Sequence, residues 1–150
     1  RPQLLDRFGL CVEVTGEKDL SLRRQIVERV LLFESGDAEF TRRWTHEDEA
    51  LRNRLAAARE RLPSIEVPGT VLDAVVEVVA DLGVAGHRGD INILKCAKAL
   101  AAIKGIGAPD EECLADSFRL SLSHRLKEDP FEETASGRRR LDAVLSRFAR

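Results

Sequence analysis

Arg88 is the residue whose position most strongly suggests chemistry, because it stands where a helix is predicted to begin, in the run His87-Arg88-Gly89-Asp90. A cation at a helix N-terminus faces the positive end of the macrodipole, which costs a few tenths of a kcal/mol up to about 1 kcal/mol. One explanation is a local ion pair with Asp90. The other is an anion site, in which backbone N–H groups and the guanidinium converge on phosphate oxygens and Gly89 lets the ligand approach. The spacing alone leaves both explanations open.

A second charged pair, Asp6 and Arg7, directly precedes the short apolar stretch Phe8–Val14. The ordinary interpretation is a surface ion pair, which contributes little to stability. The alternative is that Arg7 projects from one subunit toward a phosphoryl group held by its neighbour, as an arginine finger does. Spacing does not choose between these two.

Other reactive side chains are not arranged as a site. The histidines lie far apart in the sequence and lack the close pairing of metal ligands, so no metal site is predicted among His46, His87 and His124. The cysteines are odd in number, widely spaced and set among apolar neighbours, which indicates buried reduced thiols at Cys11, Cys96 and Cys113.

Composition describes a globular protein, with 43% hydrophobic and 33% charged residues in a chain of 150. The 24 Lys and Arg nearly balance the 26 Asp and Glu, which argues against a nucleic-acid module that neutralises many phosphates. No apolar run approaches the roughly 20 residues of a membrane-spanning helix, so we expect a cytoplasmic protein. The chain has no Met and begins with Arg1, so we expect it to be part of a longer protein.

Two kinds of element are predicted in the first 63 residues. The β-branched stretch Phe8–Val14 predicts a strand, which would have to pair with a sheet outside this sequence. Helical spacing then predicts one helix from a cap at Asp19 or Ser21 to about Phe33. A second helical segment from Asp37 is predicted to break near Trp44-Thr45 and to stop at Pro63.

From residue 64 onward the periodicity predicts a helical bundle. Its first helix, over Val71–Leu82, is apolar almost all round and should be central and buried. The next runs from Arg88 to Lys104 and should end at left-handed glycines in Gly105-Ile106-Gly107. Two more are predicted, over about Pro109–Leu126 and over the amphipathic stretch Leu141–Phe148.

The order of these motifs resembles the magnesium chelatase I subunit family of AAA+ ATPases. The segment Arg1–Gly9 resembles the family signature that precedes the last strand of the AAA+ core, and His87–Asp90 with the following alanines resembles its second-sensor helix. His124–Pro130 resembles its C-terminal motif, so the similarity covers essentially the whole chain. The implied fold is mainly α: the last strand of an αβα core (1–16), a helical connector (17–63) and a helical lid domain (64–150).

The resemblance also implies roles for the charged residues. Arg7 would be an arginine finger acting in trans, Arg88 the second-sensor arginine that contacts ATP phosphate, and Asp6 their neighbour at the subunit interface. ATP and Mg²⁺ would be bound mainly by the absent core, because this sequence has no Gly-rich phosphate loop. The fragment alone should therefore be inactive.

As the family implies, the partners would be further copies in an AAA+ ring, a chelatase D-type subunit and a large porphyrin-binding catalytic subunit. The reaction would be ATP-driven insertion of Mg²⁺ into protoporphyrin IX on the way to chlorophylls, in the cytoplasm or the chloroplast stroma. Neither nucleic acid nor membrane is an expected partner.

Two alternatives stay open. One is the motor of a cobalt chelatase or another AAA+ relative, because the sequence contains no metal or porphyrin contacts that would choose the substrate. The other is a non-enzymatic helical adaptor that uses the lid fold as a binding surface. The upstream sequence discriminates between motor and adaptor, since a loop ending in Gly-Lys-Ser or Gly-Lys-Thr supports the motor.

Overall fold

A computed structural model describes residues 7–36, 38–126 and 134–148, and all the regular structure in those ranges is helical. The mainly α fold class is therefore confirmed. A short 3-10 turn at Leu62–Ser64 follows the second helix. The α-helices are α1 (Leu20–Glu34), α2 (Ala38–Arg61), α3 (Gly69–Asp81), α4 (Arg88–Lys104), α5 (Glu111–Leu122) and α6 (Thr134–Leu145).

The described residues divide into two compact units. The first, here called the bundle, contains residues 7–12 and everything described from Ala58 onward. The second, here called the helix pair, contains residues 13–57, which include α1 and most of α2. The boundaries predicted from sequence, at residues 16 and 63, stay a prediction.

The predicted strand over Phe8–Val14 is not formed, since no strand occurs in the ranges that the structure covers. A strand needs a neighbouring strand to accept its backbone hydrogen bonds, and these ranges offer none. The segment instead bonds to a helix: the Cys11 amide donates to the Leu120 carbonyl of α5 at 2.8 Å. Its side chains at Val12 and Val14 are exposed.

The core of the bundle lies where α4 packs against α3 and α5, and α6 closes it against α5. From α3 it takes one stripe at helical spacing, at Val71, Val75, Val78 and Val79. The prediction that α3 is buried all round is wrong on its opposite side, where Leu72 is 44% and Val76 50% exposed. A four-helix arrangement covers one side of a helix this short, so the remaining apolar positions face outward.

Phe118 of α5 is the largest side chain in this core that is fully buried. It packs on Phe148, with ring centroids 5.3 Å apart in a tilted arrangement. Around it lie Ile93 and Ala97 of α4 and Leu141 of α6. Aromatic burial of this kind dominates the stability of a small core.

A smaller cluster attaches the end of α2 to the end of α4. Ala58 and Ile65 pack with Ala101 and Ala102, and the Arg61 guanidinium donates to the Ala102 carbonyl at 3.3 Å. The same carbonyl, in the last turn of α4, also accepts from the Gly105 amide at 3.2 Å, so the guanidinium is its second donor. Gly105 ends α4 in the left-handed conformation with φ of 76°, as predicted, whereas Gly107, predicted to be left-handed as well, does not have a positive φ.

In the helix pair, the predicted cap is confirmed but the predicted break is wrong. The Asp19 carboxylate accepts from the Leu22 amide at 2.9 Å and starts α1. Helix α2 continues without interruption through Trp44 and Thr45. The Thr45 hydroxyl donates to the Thr41 carbonyl at 3.0 Å, within the same helix, and so does not cap a new one.

Aromatic contacts join the two helices of the pair. Phe33 of α1 meets Phe40 of α2 edge-on at 6.3 Å, and Phe40 meets Trp44 at 6.2 Å. The Arg29 guanidinium lies over the Trp44 ring, 5.1 Å from its centroid. No residue of α1 is buried, however, so its apolar side chains stay largely exposed.

Of the helices in the described ranges, none combines the length and apolar character that crossing a membrane requires.

Candidate functional site

Arg88 is the first residue of α4 and its side chain is exposed. The preceding residue, His87, occupies the cap position but makes no side-chain hydrogen bond to the first turn. Asp90 also lies in that first turn, about 200° around the helix axis from Arg88. The two residues therefore occupy different sides of the helix start.

Gly89 is buried at the start of α4. A Cβ at this position would lie 3.4 Å from Cγ1 of Val84 and 3.9 Å from Cγ1 of Val79, which is ordinary van der Waals contact. Packing against α3 therefore does not by itself require a glycine here. The predicted role of Gly89, to let a ligand approach the backbone, stays a prediction.

Arg7 is exposed and stands directly before a residue that is held firmly. The Phe8 carbonyl lies 3.1 Å from Nε2 of His124, and it accepts from the Arg125 guanidinium at 3.2 Å. His124 and Arg125 follow the end of α5 and are only 6% and 8% exposed. The backbone that carries Arg7 is thus attached to the interior of the bundle.

The same segment also touches α4. A Cβ on Gly9 would lie 3.5 Å from the Nδ2 atom of Asn92, so the backbone there runs beside that side chain. Asn92 lies one helical turn after Arg88. The structure therefore brings the segment of Arg7 and the start of α4 together, although they are far apart in the sequence.

The remaining residues considered from the sequence are Asp6, the histidines and possible metal ligands. Asp6, predicted at a subunit interface, lies outside the described residues. Within the described part of the chain, no group of three or more His, Cys, Asp or Glu side chains could hold a metal ion. His46 belongs to the helix pair.

The cysteines are free thiols, and Cys96 and Cys113 are buried as predicted while Cys11 is half-buried. Burial is the main cause that raises the pKa of the Cys96 and Cys113 thiols. A raised pKa lowers the thiolate fraction at neutral pH and makes both poor nucleophiles. Their environment is that of core residues.

The contact of His124 and Arg125 with Phe8 was missed by sequence reasoning, which recognised these residues only as part of a motif. A signal was present: the apolar stripe of α5 is followed at once by an imidazole and a guanidinium at positions that continue into the core. Buried groups of this kind require hydrogen-bond partners. The identity of the partner, 117 residues away, could not be read from the pattern.

Comparison with known proteins identifies the fold. Residues 72–144 match the AAA lid domain. The chain is 40% identical over 149 residues to the magnesium-chelatase 38 kDa subunit of Acidiphilium rubrum, which covers 99% of this chain and 43% of that protein. It is 39% identical over 137 residues to the chloroplastic magnesium-chelatase subunit ChlI of Nicotiana tabacum, covering 91% of this chain and 32% of that protein.

A further relative is an uncharacterised protein of Mycobacterium tuberculosis, 34% identical over 146 residues, which are 97% of this chain and 23% of that protein. The chain spans about two fifths of the length of the magnesium-chelatase subunits most similar to it, with 43%, 39% and 41% of three bacterial proteins covered. The resemblance inferred from the motifs is confirmed.

Proposed function

We propose that this chain, an AAA lid domain with its flanking segments and a homologue of magnesium-chelatase I-type subunits, is the C-terminal part of an ATPase motor subunit. The motor would couple ATP hydrolysis to insertion of Mg²⁺ into protoporphyrin IX, in the synthesis of chlorophylls. One observation carries the proposal: the segment that follows Arg7 lies against the start of α4, which begins with Arg88. The two approach each other at Gly9 and Asn92, within the bundle.

The proposed organisation assigns residues 1–16 to the end of the AAA+ core, 17–63 to a helical connector and 64–150 to the lid domain. Further copies of the chain would form a ring, which would act on a chelatase D-type subunit and on a large porphyrin-binding subunit. We place the complex in the cytoplasm, or in the stroma for a plant or algal protein; the tobacco relative is named as chloroplastic.

The residues present fit a peripheral contact with ATP, with Mg²⁺ held by the core. Arg88 offers an exposed guanidinium at a helix start whose cap residue supplies no side-chain acceptor, and Arg7 offers a second exposed guanidinium. Neither arginine is accompanied by a Gly-rich phosphate loop in this sequence. Tight nucleotide binding therefore requires the AAA+ core.

In the proposed mechanism, bound ATP supplies the phosphoryl bond whose cleavage drives the motor. Arg88 holds a phosphate oxygen and so ties the lid to the nucleotide. Arg7 presents its charge to the nucleotide of a neighbouring subunit, where a guanidinium stabilises negative charge in phosphoryl transfer. Loss of these contacts after hydrolysis would release the bundle as a rigid body.

The test of this function is subunit mixing in the full-length protein. Arg7→Ala subunits should bind ATP at their own sites but inactivate the neighbouring site that Arg7 serves, so activity of mixed rings should fall more steeply than dilution predicts. Arg119→Ala removes an exposed arginine of α5, paired with Asp116, and serves as the matched control. Activity that fell only in proportion to dilution would exclude the trans role.

A second candidate is the motor of a cobalt chelatase or of another AAA+ system. The 34% identity to an uncharacterised mycobacterial protein shows that the relatives of this chain are not all named as magnesium-chelatase subunits. Assay of the reconstituted complex with Mg²⁺ and protoporphyrin IX, against Co²⁺ and a corrinoid precursor, separates the two. A helical adaptor would show no ATP hydrolysis with any partner.

A further inference from the structure

The end of α5 and the segment after Arg7 hold one another through reciprocal hydrogen bonds. Arg125 donates from Nε to the Ser121 carbonyl at 3.1 Å and from Nη2 to the Phe8 carbonyl at 3.2 Å. In the other direction, the Cys11 amide donates to the Leu120 carbonyl at 2.8 Å. The guanidinium therefore bridges a helix carbonyl and the backbone next to Arg7.

His124 adds a second contact at the same carbonyl. Its Nε2 atom lies 3.1 Å from the Phe8 oxygen, so one backbone oxygen is shared by two buried side chains. Two contacts restrict the position of a carbonyl more than either alone. The peptide that follows Arg7 is therefore held at its carbonyl oxygen by two side chains of the bundle interior.

This attachment is a costly way to fasten a surface segment. Removing a guanidinium from water is strongly unfavourable, and hydrogen bonds and ion pairs offset this penalty only when their geometry is good. Apolar residues packing under Phe8 would hold the chain with less desolvation. Phe8 itself is 61% exposed, so its ring contributes little to the attachment. What the buried pair achieves is a defined backbone position one residue from Arg7.

We propose that His124 and Arg125 are positioning residues for Arg7, and that they transmit movement of the lid bundle to it. This inference rests on the proposed function, in which Arg7 contacts the nucleotide of a neighbour. Because α5 forms part of the bundle core through Phe118 and Leu122, a rigid-body shift of the bundle carries the Phe8 carbonyl with it. A displacement of about 1 Å at a phosphoryl-transfer site costs on the order of a hundredfold in rate.

The experiment compares His124→Ala/Arg125→Gln with Arg7→Ala in the full-length protein. The double variant should lower kcat for ATP hydrolysis at least about tenfold while its own affinity for ATP changes less than about threefold. It should also inactivate mixed rings as Arg7→Ala does. Arg119→Gln, which removes a cation from the same helix without touching Phe8, should match wild type in all three measurements.

Combination with Arg7→Ala separates positioning from general structural support. If the pair acts through Arg7, then adding His124→Ala/Arg125→Gln to Arg7→Ala should cause no further loss of kcat. A further loss of tenfold or more would overturn the inference and assign the pair to stability. His124→Gln, which keeps an N–H donor at similar reach, should recover most of the activity lost in His124→Ala.

Mild single variants keep the test decisive if the double variant does not fold. Arg125→Lys retains the charge but donates from a single nitrogen, so it cannot reproduce the two bonds that Nε and Nη2 make. It should show a smaller loss with the same non-additivity. Wild-type kcat in both Arg125→Lys and His124→Ala would overturn the inference. If Arg7→Ala inactivates mixed rings and the variants at His124 and Arg125 do not, the positioning role of that pair is wrong while the proposed function stands. If Arg7→Ala itself does not inactivate mixed rings, the proposed function is wrong.

Discussion

The bundle and the helix pair are both helical and amphipathic, yet only the bundle covers its apolar side chains. In α3, four valines of one stripe are buried against neighbouring helices. In α1, apolar residues recur at the same spacing, and none is buried. Side chains such as Ile26 and Val27 remain about half exposed.

Helical periodicity therefore predicts where an apolar face lies but not whether the chain itself covers it. In the bundle, the covering helices follow within the same sequence. In the helix pair, aromatic contacts among Phe33, Phe40 and Trp44 stand in place of a core. Stability should thus be concentrated in the bundle, and substitutions of equal chemistry should have unequal effects in the two units.

The largest difference should come from phenylalanine truncation. Phe118→Ala removes a fully buried ring and should lower the free energy of unfolding of the bundle by about 3–5 kcal/mol. Phe33→Ala removes a ring that is 67% exposed and should cost at most about 1 kcal/mol, mainly its edge contact with Phe40. Urea unfolding followed by circular dichroism measures both. Equal losses would contradict the comparison.

The next effect concerns activity. In the full-length protein, Arg88→Ala should leave the fold intact but reduce ATP-dependent turnover at least tenfold, which corresponds to about 1.4 kcal/mol in transition-state stabilisation. Arg52→Ala removes an exposed arginine from α2 in the helix pair and should leave turnover within about twofold of wild type. Normal turnover in a well-folded Arg88→Ala enzyme would remove Arg88 from the site.

A smaller effect should distinguish the two aspartate caps. Asp110 caps α5 by accepting from the Cys113 amide at 2.8 Å, as Asp19 caps α1. Asp110→Ala should destabilise the bundle by about 1 kcal/mol, a usual value for a lost cap. Asp19→Ala should reduce helical content without shifting the unfolding midpoint of the bundle, since α1 has no buried residue.

The charge on Asp110 also gives this cap a pH dependence. Partial burial raises the pKa of the Asp110 carboxyl. Hydrogen bonds from Cys113 and the nearby Lys104 ammonium lower it by more, so the pKa of Asp110 lies below its ordinary value. The ionised Asp110 therefore stabilises the folded state. This contribution is fully present above the unfolded pKa of about 3.9 and is lost as the pH falls through the lower pKa of the folded state. Asp110→Asn keeps a cap, and its stability should fall less below about pH 4. An unchanged acid transition would contradict this account.

The smallest expected effect lies inside the helix pair. Arg29→Gln removes the guanidinium over Trp44 and should cost about 0.5–1 kcal/mol, the usual range for an exposed cation–π contact. Trp44 is the single tryptophan of the chain, so its fluorescence reports on this unit directly. Arg24→Gln on the same helix, where the arginine pairs with Glu28, is the control and should not change the fluorescence transition. Equal shifts in both variants would contradict a specific contact.

Local chemistry accounts for what sequence reasoning predicted well. The start of α4 at Arg88, its left-handed end at Gly105 and the Asp19 cap each depend on residues within one turn. The break near Trp44-Thr45 was wrong because a threonine three residues before an acidic residue resembles a cap, yet its hydroxyl bonds within the helix. The strand over Phe8–Val14 was wrong in this structure because a strand must pair with a second one, and the described ranges contain no strand for it to pair with.

The candidate site was predictable to the same extent. Arg7 and Arg88 were found because their types are unusual at their positions and match a family pattern, although their roles remain to be tested. Two contacts of the site depend on how segments more than eighty residues apart pack together. They are the approach of Gly9 to Asn92 and the hydrogen bond from Arg125 to Phe8. Such contacts leave no periodic signal in either segment.

The separation of 117 residues between Phe8 and Arg125 has a consequence for how the protein is made. At a synthesis rate of 5–20 residues per second, the segment that carries Arg7 waits between about 6 and 23 seconds before Arg125 is polymerised. During that interval it has no anchoring partner, and closing so long a loop becomes favourable only after α4 and α5 have packed. Docking of the arginine segment is therefore a late event in biogenesis. A chain that stalls before the end of α5 would carry Arg7 without the means to hold it in place.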